Sequence, residues 1–141
     1  MASSVVAPVV PIPNNLTLPF WDGAKRHELV IQRCQDCGHW QHEPENICAE
    51  CLSFDLGYEA VSGKGEIYTY CIPVQSFHPS LDDALPYVLA VIELDEQPGL
   101  KVVSNIVGID PDDVHVGDKV EVDFRPYAEG FVIPVFHVVK S

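Results

Sequence analysis

Positive charge is scarce in this chain: 8 Lys and Arg stand against 21 Asp and Glu, a formal net charge of −13 at pH 7. A polyanion approaching that field would find few counter-charges, so nucleic acid is not expected as a partner. No run of about 18 apolar residues occurs, and basic amphipathic segments are missing, so no membrane partner is expected either. The apolar N-terminus lacks a basic leader region and is interrupted by Pro8, Pro11 and Pro13. It reads as an extended arm over 1–19, either a floating tail or a strap on a neighbouring surface, and not as a secretory signal.

Catalytic signatures are also missing. There is no G-x-S-x-G, no G-x-G-x-x-G or phosphate-binding loop, and no H-E-x-x-H. Asp82-Asp83 and Asp112-Asp113 are adjacent carboxylates in turns, expected as solvated caps and not as acid–base pairs. Cys71 falls inside a strand pattern and is expected as a packed thiol. No catalytic residue is assigned to this chain.

What is present is a chain of 141 residues, 47% of them hydrophobic, enough for one domain of ordinary size or two very small ones. Its five cysteines are an odd number, and four fall in two matched pairs: Cys34 and Cys37, then Cys48 and Cys51. That C-x2-C-x10-C-x2-C spacing argues for a metal site in a reducing compartment, the cytoplasm, and against a disulfide framework. Two residues between thiols let one tight turn present both sulfurs to a single ion, and Gly38 supplies the backbone freedom such a turn needs. The ten intervening residues suffice for a hairpin that brings the pairs together. Four thiolates close a tetrahedron and leave no position for water, so the expected Zn2+ is structural. An all-thiolate site also suits iron, which leaves a rubredoxin-like electron carrier as an alternative. His39 and His42, between the pairs, are expected on the hairpin surface.

Around the cysteines, a proline near the start of 18–28 suits a short helix. Strands are expected over 29–33 and 56–61 to complete a zinc ribbon. From Gly63-Lys64-Gly65 onward the pattern gives five strands, over 66–74, 87–94, 101–107, 119–124 and 131–139. A short turn of helix is expected over 109–114, where Asp110 precedes Pro111. Five strands with an insertion between the third and fourth suit an OB-type Greek-key barrel, and a five-stranded sandwich fits the periodicity as well. The loop over 75–81, with Phe77 and His78, either contacts a ligand or partner or is an ordinary connection. An OB fold with exposed aromatics also keeps a single-stranded nucleic-acid binder as an alternative function, against the charge.

The sequence resembles the acyl-CoA-associated family that joins a rubredoxin-like zinc ribbon to an OB fold, long catalogued as a domain of unknown function. The resemblance rests on Phe20-Trp21-Asp22-Gly23 with Glu28-Leu29, on Gln32-Arg33-Cys34-Gln35-Asp36-Cys37-Gly38 and on Cys48-Ala49-Glu50-Cys51. It continues through Gly63-Lys64-Gly65-Glu66-Ile67-Tyr68, the strand from Pro86 to Leu94, Asn105-Ile106-Val107-Gly108, Val116-Gly117 and Pro134-Val135-Phe136. It implies a mostly β fold: arm over 1–19, helix plus zinc ribbon over 20–61, five-stranded OB-fold barrel over 62–141. It also implies a non-catalytic accessory subunit for a thiolase-superfamily partner, such as a thiolase, acyltransferase or aldolase acting on acyl-CoA. CoA or acyl-CoA would then be bound jointly with that partner, which owns the nucleophile. Cys34, Cys37, Cys48 and Cys51 match the family's zinc positions, whereas no CoA contact is carried over. Of the basic residues, Arg33 and Lys64 are expected near the ribbon–barrel junction. Loss of the metal is expected to loosen the ribbon and leave the barrel folded on its own core.

Overall fold

The computed structural model describes residues 13–72, 87–128 and 131–139. Most of the proline-rich arm, the loop over 75–81 and the Asp82-Asp83 pair lie outside these residues. At the arm's C-terminal end, the Asn14 side chain accepts from the N–H groups of Leu16 and Thr17, and its carbonyl accepts from Leu18. This Asx-type turn, with Pro19 following, launches helix α1 (Leu18–Lys25) without a side-chain N-cap bond. The Tyr58 hydroxyl donates to the Leu16 carbonyl at 2.8 Å and ties the turn to the ribbon. Gly23 is required: a Cβ there would run into the Val30 side chain and sit 3.0 Å from the Glu28 carbonyl, where the chain doubles back.

The ribbon is a three-stranded antiparallel sheet of order β2-β1-β3, built from β1 (Val30–Cys34), β2 (Trp40–Gln41) and β3 (Leu56–Ala60). Cys34 ends β1 opposite Leu56, the first residue of β3, so the sheet itself sets where the first knuckle begins. Five further strands follow: β4 (Lys64–Cys71), β5 (Val88–Leu94), β6 (Lys101–Ile106), β7 (Lys119–Ala128) and β8 (Phe131–Val138). They close into a barrel of order β4-β5-β6-β8-β7 in which only the β6–β8 pairing is parallel. That is the OB arrangement, not the sandwich. The one-turn helix Pro111–Asp113 lies between β6 and β7, capped by the Asp110 carboxylate accepting from the Asp112 N–H.

β5 alternates cleanly, with Val88, Ala90, Ile92 and Leu94 buried, as expected of a strand with one face on a core. β4 does not. A register shift between Ile67 and Thr69 reverses the parity of the strand, so Ile67 and Tyr70 face inward and Cys71 is exposed. The expectation of a packed Cys71 is thereby overturned. Tyr70 takes the inward place, and its hydroxyl donates to the Val114 carbonyl at 2.9 Å.

Leu29, Ile31 and Trp40 of the ribbon belong to the same buried cluster as Ile67, Ile92, Leu94, Val120 and Phe136 of the barrel. Helix α1 closes the other side, where Trp21 meets Phe131 edge-on at 6.2 Å and His27 stacks on Phe124 at 5.3 Å. The ribbon therefore adds Leu29, Ile31 and Trp40 to a cluster whose other members lie in the barrel, so the two share one buried core. The contacts of Arg33 stay within the ribbon: its guanidinium covers Trp40 at 4.6 Å and stands 3.6 Å from the Glu59 carboxylate. Lys64 opens β4, its carbonyl accepting from the Asp95 N–H.

Candidate metal centre and interdomain groove

Cys34 and Cys37 flank one turn, which Gly38 completes at φ +80 while its N–H donates to the Cys34 carbonyl at 3.0 Å. The second turn is built the same way without a glycine: Leu52 takes φ +65 and its N–H donates to the Cys48 carbonyl at 3.0 Å. Backbone N–H groups converge on two of the sulfurs, from Cys37 to Cys34 Sγ at 3.4 Å and from Glu50 and Cys51 to Cys48 Sγ at 3.4 and 3.5 Å. Such donors stabilise thiolate charge.

The four sulfurs converge. Cys34 and Cys51 Sγ are 3.6 Å apart, as are those of Cys37 and Cys48, and all four lie within 4.8 Å of one another. A disulfide needs about 2.0 Å, so these are not bonded pairs. Metal–sulfur bonds of about 2.3 Å in a tetrahedron require sulfurs about 3.8 Å apart, close to what is seen. Among the described residues this is the one group of three or more Cys, His, Asp or Glu whose ligand atoms meet.

The Cys37 N–H foremost draws the Cys34 thiol down to about 7, with further donors helping. Cys51 is pushed up to about 12, because desolvation and the sulfurs of Cys34, Cys37 and Cys48 outweigh the favourable Ser53 backbone group. The clustered thiols thus differ in how readily they ionise.

The second pair is aimed by two buried glutamines. Gln32 Oε1 accepts from Gln41 Nε2 at 2.6 Å and from the Glu45 N–H at 2.9 Å, while Gln32 Nε2 donates to the Glu45 carbonyl at 2.8 Å. Gln41 Oε1 in turn accepts from the Ala49 N–H, between the two cysteines, at 3.1 Å. Neither glutamine carries a motif of its own; the only sequence signal is a polar residue within a short, largely buried strand. His39 is half-buried in the turn, and its carbonyl accepts from the Cys34 N–H. His42 is not on the surface as expected: its side chain is 14% exposed and its ring lies 5.5 Å from Phe20, because α1 folds over the hairpin. Burial holds its pKa below the usual imidazole value, against the opposing pull of Glu43.

That contact borders a groove of about 290 Å3 between α1, the loop after β2, and strands β6 and β8. Phe20, Trp21, His42, Glu43, Asn105 and Pro134 are among its lining residues, and among the described residues no Lys or Arg lines it.

A four-thiol ribbon packed on an OB barrel defines the class of the protein. Residues 21–57 match the family described as "ChsH2, rubredoxin-like zinc ribbon domain", and residues 58–125 match "ChsH2, C-terminal OB-fold domain". The chain belongs to this ChsH2 family of zinc-ribbon/OB-fold proteins. It is 37% identical over 106 residues to a DUF35 domain-containing scaffold protein of Methanothermobacter thermautotrophicus, covering 74% of this chain and 77% of that one. It is 38% identical over 118 residues, 83% of its length, to a probable enoyl-CoA hydratase alpha subunit of Thermomonospora curvata. It spans only about a third of that relative, 36%. Among solved structures, a chain described as "Ltp2-ChsH2(DUF35) aldolase" superimposes with a TM-score of 0.83 at 35% identity, covering 92% of this chain and 98% of that one.

Proposed function

We propose that Cys34, Cys37, Cys48 and Cys51 hold one structural zinc ion. We further propose that the chain is a non-catalytic accessory subunit of a thiolase-superfamily enzyme acting on acyl-CoA, helping to assemble the complex and shape its CoA channel. The observation that carries this reading is the superposition, over 98% of its length, on the ChsH2(DUF35) chain named with the aldolase Ltp2. The scaffold name of the archaeal relative supports a non-catalytic role. When bound, zinc supplies a fixed tetrahedral crosslink and no activated water, since all four positions are taken by protein sulfur. The carbon–carbon bond chemistry then belongs to the partner.

The groove suits one part of CoA and not another. Its largely apolar walls, with the Asn105 amide, the Ser104 hydroxyl and the neutral His42 imidazole, and with Glu43 at its edge, suit an extended, uncharged, amide-bearing pantetheine arm. Without Lys or Arg in its lining, it offers nothing to the phosphates, which fall to the partner. The test is to purify the chain from its native cells at moderate salt and identify by mass spectrometry what co-elutes in stoichiometric amount, with metal analysis of the same fractions. A thiolase-like chain and one zinc per subunit are expected, with acyl-CoA turnover by the complex alone. Iron and visible colour, turnover by the isolated chain, or recovery alone or with nucleic acid would each overturn the corresponding part.

A further inference from the structure

The second knuckle displays what a folded chain normally hides. Ile47, Leu52 and Phe54 are 36%, 66% and 79% exposed and lie on the stretch that carries Cys48 and Cys51. The turn that presents them is held at every step. The Leu52 N–H donates to the Cys48 carbonyl, and the Cys48 N–H to the Ser53 carbonyl at 2.9 Å. The Ser53 hydroxyl donates to Asp36 and accepts from the Asp55 N–H at 3.0 Å. Leu52 itself sits at φ +65, a conformation that costs a branched side chain energy. Apolar groups on a pinned, strained loop lose little conformational freedom on contact, which favours association.

Charge says what would cover them. Residues 34–63 carry six carboxylates, Asp36, Glu43, Glu45, Glu50, Asp55 and Glu59, and no Lys or Arg. A second copy would bring an equal set against the first, and anionic lipid or nucleic acid would be repelled in the same way.

We infer that the second knuckle is a docking knob, with Leu52 and Phe54 seating in an apolar pocket of a protein partner whose rim is arginine or lysine. Exposed apolar anchors on a pinned turn, in a stretch rich in acids, suit an interface hot spot. The inference deepens the accessory-subunit reading and takes from it only the partner's identity.

The test uses the full, zinc-loaded chain. A photoreactive benzoylphenylalanine replaces Phe54 in the native host, and crosslinked peptides are read by mass spectrometry. Affinity for the co-purified catalytic chain is then measured for L52A/F54A and for E45K/E50K, with zinc content and thermal midpoint confirming the fold. The expected results are a crosslink beside Arg or Lys of the catalytic chain and binding weakened roughly 30-fold or more in L52A/F54A. E45K/E50K should associate several-fold more slowly, with a shallower dependence on salt. If the double alanine variant fails to fold, the charge-reversed pair and the crosslink decide. Retained complex with both variants within twofold of wild type and no crosslink overturns the knob while the accessory-subunit reading stands. A crosslink between two copies, or to lipid, also overturns it. If no catalytic chain co-purifies, the functional reading has failed. The knob then stands only on a crosslink to another protein at an apolar site bordered by Arg or Lys, and falls without one.

Discussion

Gln97 grips the backbone of Trp40 with both ends of its amide: Nε2 donates to the Trp40 carbonyl at 2.8 Å, and Oε1 accepts from the Trp40 N–H at 3.0 Å. One side chain of the barrel thus satisfies both main-chain groups of a short ribbon strand. Gln97→Ala should lose about 1–3 kcal/mol, since both Trp40 groups are left without partners. Urea unfolding of the zinc-loaded protein measures this. A variant within experimental error of wild type would show that water replaces the amide.

Because Leu29, Ile31 and Trp40 share the barrel's core, metal and barrel should melt together. Chelation, or Cys37→Ala, is expected to lower the midpoint of one cooperative transition, by roughly 10 °C for a loss of about 3 kcal/mol. Calorimetry with and without chelator distinguishes this from a barrel that keeps its own unchanged transition.

His42 predicts a pH dependence. Its folded pKa lies below the ordinary imidazole value of about 6.5 because the ring is buried. Between those two values the unfolded chain holds a proton that the folded chain does not, so stability falls as pH drops through that window and is fully present above it. Acid also displaces metal from thiolates, with the same sign. His42→Gln should therefore make the loss between about pH 7 and 5 shallower without abolishing it, as read from denaturant midpoints across pH.

Leu52→Gly should be neutral or stabilising by up to about 1 kcal/mol, since glycine removes the left-handed strain and returns part of that gain as unfolded-state entropy. A loss of more than 1 kcal/mol in thermal or urea unfolding would mean that the leucine packs against the fold.

Much of this was legible in order along the chain. Paired cysteines two apart can only be a knuckle or a redox motif, and Pro111 after Asp110 announces its own helical turn. The five barrel strands were also legible, with their ends misplaced on two of them: β4 starts at Lys64 and stops at Cys71, and β7 runs on through Pro126, opposite Val132, to Ala128. What failed were features set by pairing rather than by pattern. A single bulge in β4 inverts every side chain beyond it, which no alternation rule foresees when aromatic and polar residues alternate as in Tyr68-Thr69-Tyr70. The two-residue strand β2 is too short to carry a period. The shared core, the glutamine pair and the burial of His42 all arise where two elements distant in sequence meet, and each looks unremarkable in its own segment.

That same bulge has a practical corollary. It leaves Cys71 exposed, the one cysteine outside the four-sulfur cluster. If the other four thiols hold a metal, a maleimide dye or nitroxide would attach at a single place on the barrel wall, on β4 across Leu89 from the groove residue Asn105. A distance ruler anchored there could follow how the subunit sits in its assembly.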